Sequence, residues 1–207
     1  MTEQEGVVKY SLTYESADLM TAAMIQELNP WRKILFQLAL IGQDPSRYGG
    51  LGFGNVSRRS GESNAFVVTG TQTGHLPDLD SSHYCLVTDC DTKNNHLLAK
   101  GSVKPSSEAL THAAFYQADT RINCVFHAHS PDIWNRAEEL AIQTTPEHIA
   151  YGTPEMAQEV SRLLKEGRFS KNKILIMKGH KDGVISFGAN EEEAGASLIY
   201  ALAKAYQ

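Results

Sequence analysis

From residue 65 to residue 187 the chain alternates short β-branched or apolar runs with turn-forming Gly, Asp and Asn, and segments of helical periodicity lie before, within and after this region. That alternation restricts the fold more than any other feature. Runs at 65–68, 84–87, 96–100, 123–129, 173–177 and 184–187 read as strands. Helical spacing places helices at about 17–28, 31–41, 107–118, 153–165 and 191–205. Asn29-Pro30 is the expected start of the second of these, with Ile34, Leu35, Leu38 and Ile41 on one apolar face. Asn190, followed by Glu193, is the expected cap of the last. Strands linked by short turns and flanked by helices predict an α/β fold, a three-layer α/β/α sandwich with a mainly antiparallel or mixed central sheet.

The chain has 207 residues, 42% of them hydrophobic, and carries neither repeats nor a Pro/Ser-rich linker. One domain over 1–207 is expected, large enough to bury a substantial core. A net charge of -5, with no basic run longer than Arg58-Arg59, argues against nucleic acid or an anionic membrane as partner and favours a small soluble one. Cys85, Cys90 and Cys124 show neither a CxxC pair nor disulfide-scaffold spacing and read as reduced thiols. The acidic opening, residues 1–6, leads into no apolar run suited to export or membrane spanning, so a cytoplasmic location is expected.

Side chains two apart on a strand share a face, so the imidazoles of His127 and His129 would converge. This is metal-ligand spacing, although two histidines near a strand end are as readily hydrogen-bonded surface or core residues. His180 follows the apolar run 174–177 where it opens into a loop. Three imidazoles with no cysteine would form the protein part of a catalytic site, with a position left open for substrate or water. In Lys104-Pro105-Ser106-Ser107-Glu108 the serines fall at a helix start suited to a phosphate or carboxylate, and equally to an ordinary cap. On local pattern alone Glu108 reads as a dipole-stabilising carboxylate. His112, one turn later, is placed to orient it. His75, His83, His96 and His148 have no distinguishing spacing. The glycine-rich stretches 49–59 and 69–74 match neither a dinucleotide fingerprint nor a P-loop, and turn-forming glycine accounts for each as well as anion binding does. A serine-hydrolase elbow is missing.

Taken in order, Gly54-Asn55-Val56-Ser57-x-Arg59, Thr73-Gly74, Pro105-Ser106-Ser107-Glu108, His127-x-His129 and His180 resemble the class II aldolase/adducin family. The resemblance runs from about residue 35 to the C-terminus. It implies an α/β/α sandwich, usually assembled as a homotetramer, and an enzyme of carbohydrate metabolism. The implied activity is that of a class II, zinc-dependent lyase that makes or breaks an aldol bond in a small phosphorylated sugar through a metal-stabilised enediolate. Alternatives within the resemblance are a sugar-phosphate dehydratase or epimerase, or a non-catalytic adducin-like binding module. It further implies Zn2+ or another divalent cation on His127, His129 and His180, Glu108 as the catalytic acid/base, and Asn55, Thr73, Gly74, Ser106 and Ser107 around the substrate phosphate.

Two departures from the family pattern bear on the substrate. The stretch after His129 that carries a catalytic tyrosine in the sugar-phosphate aldolases is short, which leaves the proton donor unassigned even with Tyr151 nearby. Lys181-Asp182 also separates His180 from Gly183, and Thr69-Gly70-Thr71-Gln72 lengthens the usual Thr-x-Thr-Gly turn.

Overall fold

A computed structural model describes residues 6–169 and 172–207; the acidic residues 1–5 lie outside the described residues. The elements in chain order are β1 (Ser11–Ser16), α1 (Ala22–Ile25), α2 (Leu28–Gln37), β2 (Gly42–Gln43), β3 (Gly52–Phe53), β4 (Asn55–Arg59), β5 (Phe66–Thr69), β6 (Tyr84–Asp91) and β7 (His96–Gly101). They continue with α3 (Ala109–Ala118), β8 (Cys124–His129), α4 (Pro131–Asn135), β9 (Gln143–Thr144), α5 (Pro154–Lys165), β10 (Ile174–Ile176), β11 (Gly183–Gly188) and α6 (Glu191–Ala205).

Nine strands form one mixed sheet in the order β1-β7-β6-β5-β4-β8-β11-β10-β9. The pairs from β7 through to β10 are antiparallel, whereas the edge strands β1 and β9 run parallel to their neighbours. Helices cover both faces, which is the expected three-layer sandwich. Alternation along β8 sorts its side chains between two cores. Val125 packs with the α3/α5 side, while Cys124, Phe126 and Ala128 pack with the side of α2, α4 and α6. His127 and His129 keep the parity of Val125 and therefore face α3.

α3 is buried on all sides from Ala109 to Tyr116, as its nearly continuous apolar sequence requires. Thr153 and Asn190 cap α5 and α6 by accepting from the Met156 and Glu193 amides, and Glu193 returns a bond to the Ala189 amide. The first quarter differs from the expected pair of long helices. Residues 11–16 are a strand, α1 is a single turn, and α2 begins at Leu28 and ends at Gln37. Asn29 caps nothing, because its side chain bonds the Leu79 carbonyl and the Tyr84 hydroxyl. The buried face of α2 is Leu28, Arg32 and Leu35; Ile34 and Leu38 are exposed.

α6 approaches α2 at Gly195, where an added Cβ would lie 2.2 Å from the Trp31 ring. Alanine improves helix propensity by about 1 kcal/mol, but overpacking costs about 1–3 kcal/mol. Gly195→Ala is expected to lower unfolding stability by about 1 kcal/mol in urea titrations. A stabilised variant would show that the two helices are not in contact there.

Candidate active site

β8 lies between β4 and β11, with Asn55 and Ile185 opposite His127 and Gly183 opposite His129. The antiparallel turn from β10 to β11 carries His180 back over the end of β8. His180 N–H donates to Met177 O at 3.0 Å, and Gly183 N–H to His180 O at 3.0 Å. Asp182 takes a left-handed backbone, φ 62°, within that turn. Lys181-Asp182 is thus absorbed by a tight loop, and His180 still faces the paired histidines.

His127, His129 and His180 are buried, and each offers a ring nitrogen within 4.8 Å of the other two. His127 Nδ1 lies 3.3 Å from Val184 O, an atom that only accepts, so Nδ1 carries the proton and Nε2 presents its lone pair. That Nε2 is 3.1 Å from His129 Nε2. Two imidazole nitrogens on one tetrahedral zinc lie roughly 3.3 Å apart. Burial first, then the neighbouring His180 and His127, drives the His129 pKa well below its ordinary value, so the ring is held in the neutral form that ligates metals.

Glu108 occupies the N-cap position of α3 and is 1% exposed. Its Oε1 is 3.3 Å from His180 Nδ1, yet neither carboxylate oxygen makes a hydrogen bond of good geometry among the described residues. Burial, the largest influence, pushes this carboxyl up; contact with His180, with His127 whenever that ring is protonated, and with Thr111 together outweigh it and bring the pKa down to about 2. A buried carboxylate without hydrogen bonds, set beside converging imidazole nitrogens, is a donor set that fits a divalent cation. Behind it, His112 Nδ1 contacts Ser57 Oγ at 2.6 Å, and Ser57 Oγ contacts the Tyr116 hydroxyl at 2.6 Å. Burial chiefly, and repulsion from His127 whenever that ring is protonated, push His112 down to about 3, which leaves it neutral.

The five residues expected around a phosphate also come together. Asn55, Thr73, Gly74, Ser106 and Ser107 line one small polar cleft with Gly52, Gly54, Gly70, Thr71 and Gln72. A bridge between Gly70 and Pro105 draws its two loops side by side, and Ser106 N–H donates to Thr69 O. Backbones are close: a Cβ on Gly74 would meet Gly42 O at 2.5 Å. Asn55 Oδ1 is buried in this wall and makes no hydrogen bond among the described residues.

Three neighbours of the site are not marked by sequence spacing. Tyr48 stands edge-on to His129 at 4.6 Å between ring centroids and donates its hydroxyl to Asp182 Oδ2 at 2.7 Å. Arg47 donates to the Tyr48 oxygen at 2.5 Å, and Phe53 lies 5.4 Å from the His129 ring. Burial, then the bond to Asp182, raises the Tyr48 pKa. The lengthened turn at Lys181-Asp182 was the one signal in the sequence for this rim. Tyr151 is fully buried, stacked on His180 at 4.3 Å with its hydroxyl on Val7 O.

Residues 45–206 match the family described as Class II Aldolase and Adducin N-terminal domain. The chain is 30% identical over 155 residues to the L-fuculose phosphate aldolase of Methanococcus maripaludis, an alignment covering 68% of this chain and 76% of that one. Among solved structures it resembles a sugar-phosphate aldolase from Thermotoga maritima, with a TM-score of 0.67, 17% identity, and 89% and 92% of the two chains covered. It also resembles YgbL from Klebsiella pneumoniae, a proposed aldolase/epimerase/decarboxylase, with a TM-score of 0.65, 17% identity, and 90% and 89% covered. At such identities the solved structures speak for the fold.

Proposed function

The chain belongs to the class II aldolase and adducin N-terminal domain family, and from that premise we propose that it is a metal-dependent lyase cleaving or forming an aldol bond in a small phosphorylated sugar. The observation that carries this reading is the buried Glu108 carboxylate, 3.3 Å from His180 in a cluster of three histidines, on the same loop as the Ser106-Ser107 wall of a polar cleft. The relative of this chain that acts on fuculose phosphate supports the substrate class.

His127, His129 and His180 would hold the cation, and three imidazoles favour Zn2+. When bound, the cation supplies Lewis-acid stabilisation of the negative charge that develops when a bond beside a carbonyl breaks. Glu108 is the residue that moves the proton, since its carboxylate is ionised, buried and held at the helix start beside the converging imidazoles. The neutral His112, packed one turn along α3 and fixed by Ser57, backs that carboxylate. Asn55, Thr73, Gly74, Ser106 and Ser107 receive the phosphate, which meets backbone N–H groups at the start of α3 as well as hydroxyls.

One family domain, a homotetrameric assembly and a cytoplasmic location belong to the same proposal. The exposed Ile34, Leu38 and Tyr200 offer apolar surface to a second subunit. No helix among the described residues is long and apolar enough to cross a membrane.

The test is to incubate zinc-loaded protein with ketose and aldose phosphates and count product carbons. Two shorter carbonyl fragments, one phosphorylated, are expected. A product of unchanged carbon number would replace the lyase by an epimerase or dehydratase. Ser107→Ala should raise KM for the phosphorylated substrate about tenfold or more, the loss of one hydrogen bond to a charged group, with kcat nearly unchanged. An unaltered KM would remove Ser107 from the phosphate site.

A further inference from the structure

Among the described residues, no lysine or arginine lines the cleft assigned to phosphate. Backbone dipoles and hydroxyls alone would then face a dianion. Arg32 stands behind the loop that makes one wall. It is 1% exposed, and its Nη2 donates to the carbonyls of Thr73 at 3.0 Å and Gly74 at 3.4 Å, while Nη1 donates to Pro77 O at 3.1 Å and to Leu76 O. Every acceptor is a backbone carbonyl, and no carboxylate pairs with this guanidinium among the described residues. The acid whose charge reaches it, Asp78, is exposed and bonded to Lys33 at 2.5 Å.

A buried cation without a counter-charge is costly unless something else balances it. In a trans peptide N–H points opposite to C=O, so drawing the Thr73 and Gly74 carbonyls toward Arg32 turns the Gly74 and His75 N–H groups to the other side of the loop. Thr73 and Gly74 line the cleft and Arg32 does not, so the loop lies between them. The buried Asn55 Oδ1 in the same cleft, without a hydrogen-bond partner among the described residues, independently marks a place for a ligand donor such as a sugar hydroxyl.

We propose that Arg32 is the positioning residue of this anion site. It fixes the Thr73, Gly74, Leu76 and Pro77 carbonyls so that the loop presents N–H groups to the cleft, and it contributes the positive charge that a phosphate balances. The proposal rests on the phosphate reading of the cleft. Arg32 touches no reacting atom, so its loss acts on binding rather than on turnover of bound substrate.

The test is calorimetric titration of zinc-loaded protein with inorganic phosphate, for wild type, Arg32→Gln, Arg32→Lys, Ser107→Ala and, as a control near the loop, Lys104→Ala. Arg32→Gln should weaken phosphate about tenfold or more, and Arg32→Lys should restore part of that by returning the charge without the four-carbonyl clamp. KM for the phosphorylated substrate should rise in step, with kcat and zinc content unchanged and Lys104→Ala silent. A folded Arg32→Gln protein that binds phosphate as wild type does, while Ser107→Ala weakens it, overturns the role of Arg32 and leaves the cleft standing. Wild-type protein that binds no phosphate overturns both. Should neither Arg32 variant fold, nitrogen-15 signals of the wild-type Arg32 guanidinium give the answer. They are expected to shift on adding phosphate, and their constancy at saturation overturns the proposal.

Discussion

Replacing Glu108 by Gln is expected to lower kcat by about 10^3-fold, within the range for loss of a general acid/base, while the protein keeps its zinc and its substrate KM. The substitution preserves shape and burial and removes the charge and the proton-accepting oxygen. Glu108 is 1% exposed, and its carboxylate has no hydrogen bond of good geometry to lose. The weaker polar contacts with His180 and Thr111 change with the charge, so unfolding stability is measured beside kcat. The amide is uncharged and removes the attraction to His180, 3.3 Å away, so a modest fall in metal affinity is compatible. Turnover within about tenfold of wild type, with metal bound, would assign the proton transfer to another group.

The second large effect concerns the triad. His129→Ala should reduce zinc affinity by at least about a hundredfold, more than the loss of an outer partner costs, and abolish turnover at equimolar zinc. The fold should survive, because His129 lies at the end of β8 against Tyr48 and Phe53, whereas the neighbouring core of Val125, Phe126 and Ala128 is untouched. Metal that binds only the native state raises stability by mass action. Added zinc is accordingly expected to raise the wild-type Tm and to leave that of His129→Ala nearly unchanged. Zinc-dependent stabilisation of equal size in both proteins would exclude His129 as a ligand.

Local pattern reveals some of this site and hides the rest for identifiable reasons. The parity of β8 is visible in Val125, His127 and His129, since alternation needs no tertiary information. The caps of α5 and α6 are equally local. β4 is not legible as a strand, because Arg58 and Arg59 are poor candidates for a sheet interior until their partners are known. Arg59 is buried by donating to the carbonyls of Ile122, Ser63, Tyr116 and Asp119, and Arg58 pairs with Glu27 and Glu191. The same holds for Arg32, whose charge interrupts the apolar stripe of α2: of the expected face Ile34, Leu35, Leu38 and Ile41, only Leu35 and Ile41 are buried. His180 is separated from His129 by α4, β9, α5 and β10, so local pattern offers it as a third imidazole without bringing it near the pair; the register of Gly183 opposite His129 supplies the physical reason that it is near.

X-ray absorption at the zinc edge of the loaded wild-type protein reads the proposed centre directly. Three imidazole nitrogens at about 2.0–2.1 Å, completed by oxygen, are expected, with one imidazole lost in His180→Ala. A shell containing sulfur, or fewer than three imidazoles, or a His180→Ala spectrum identical to wild type, would contradict it.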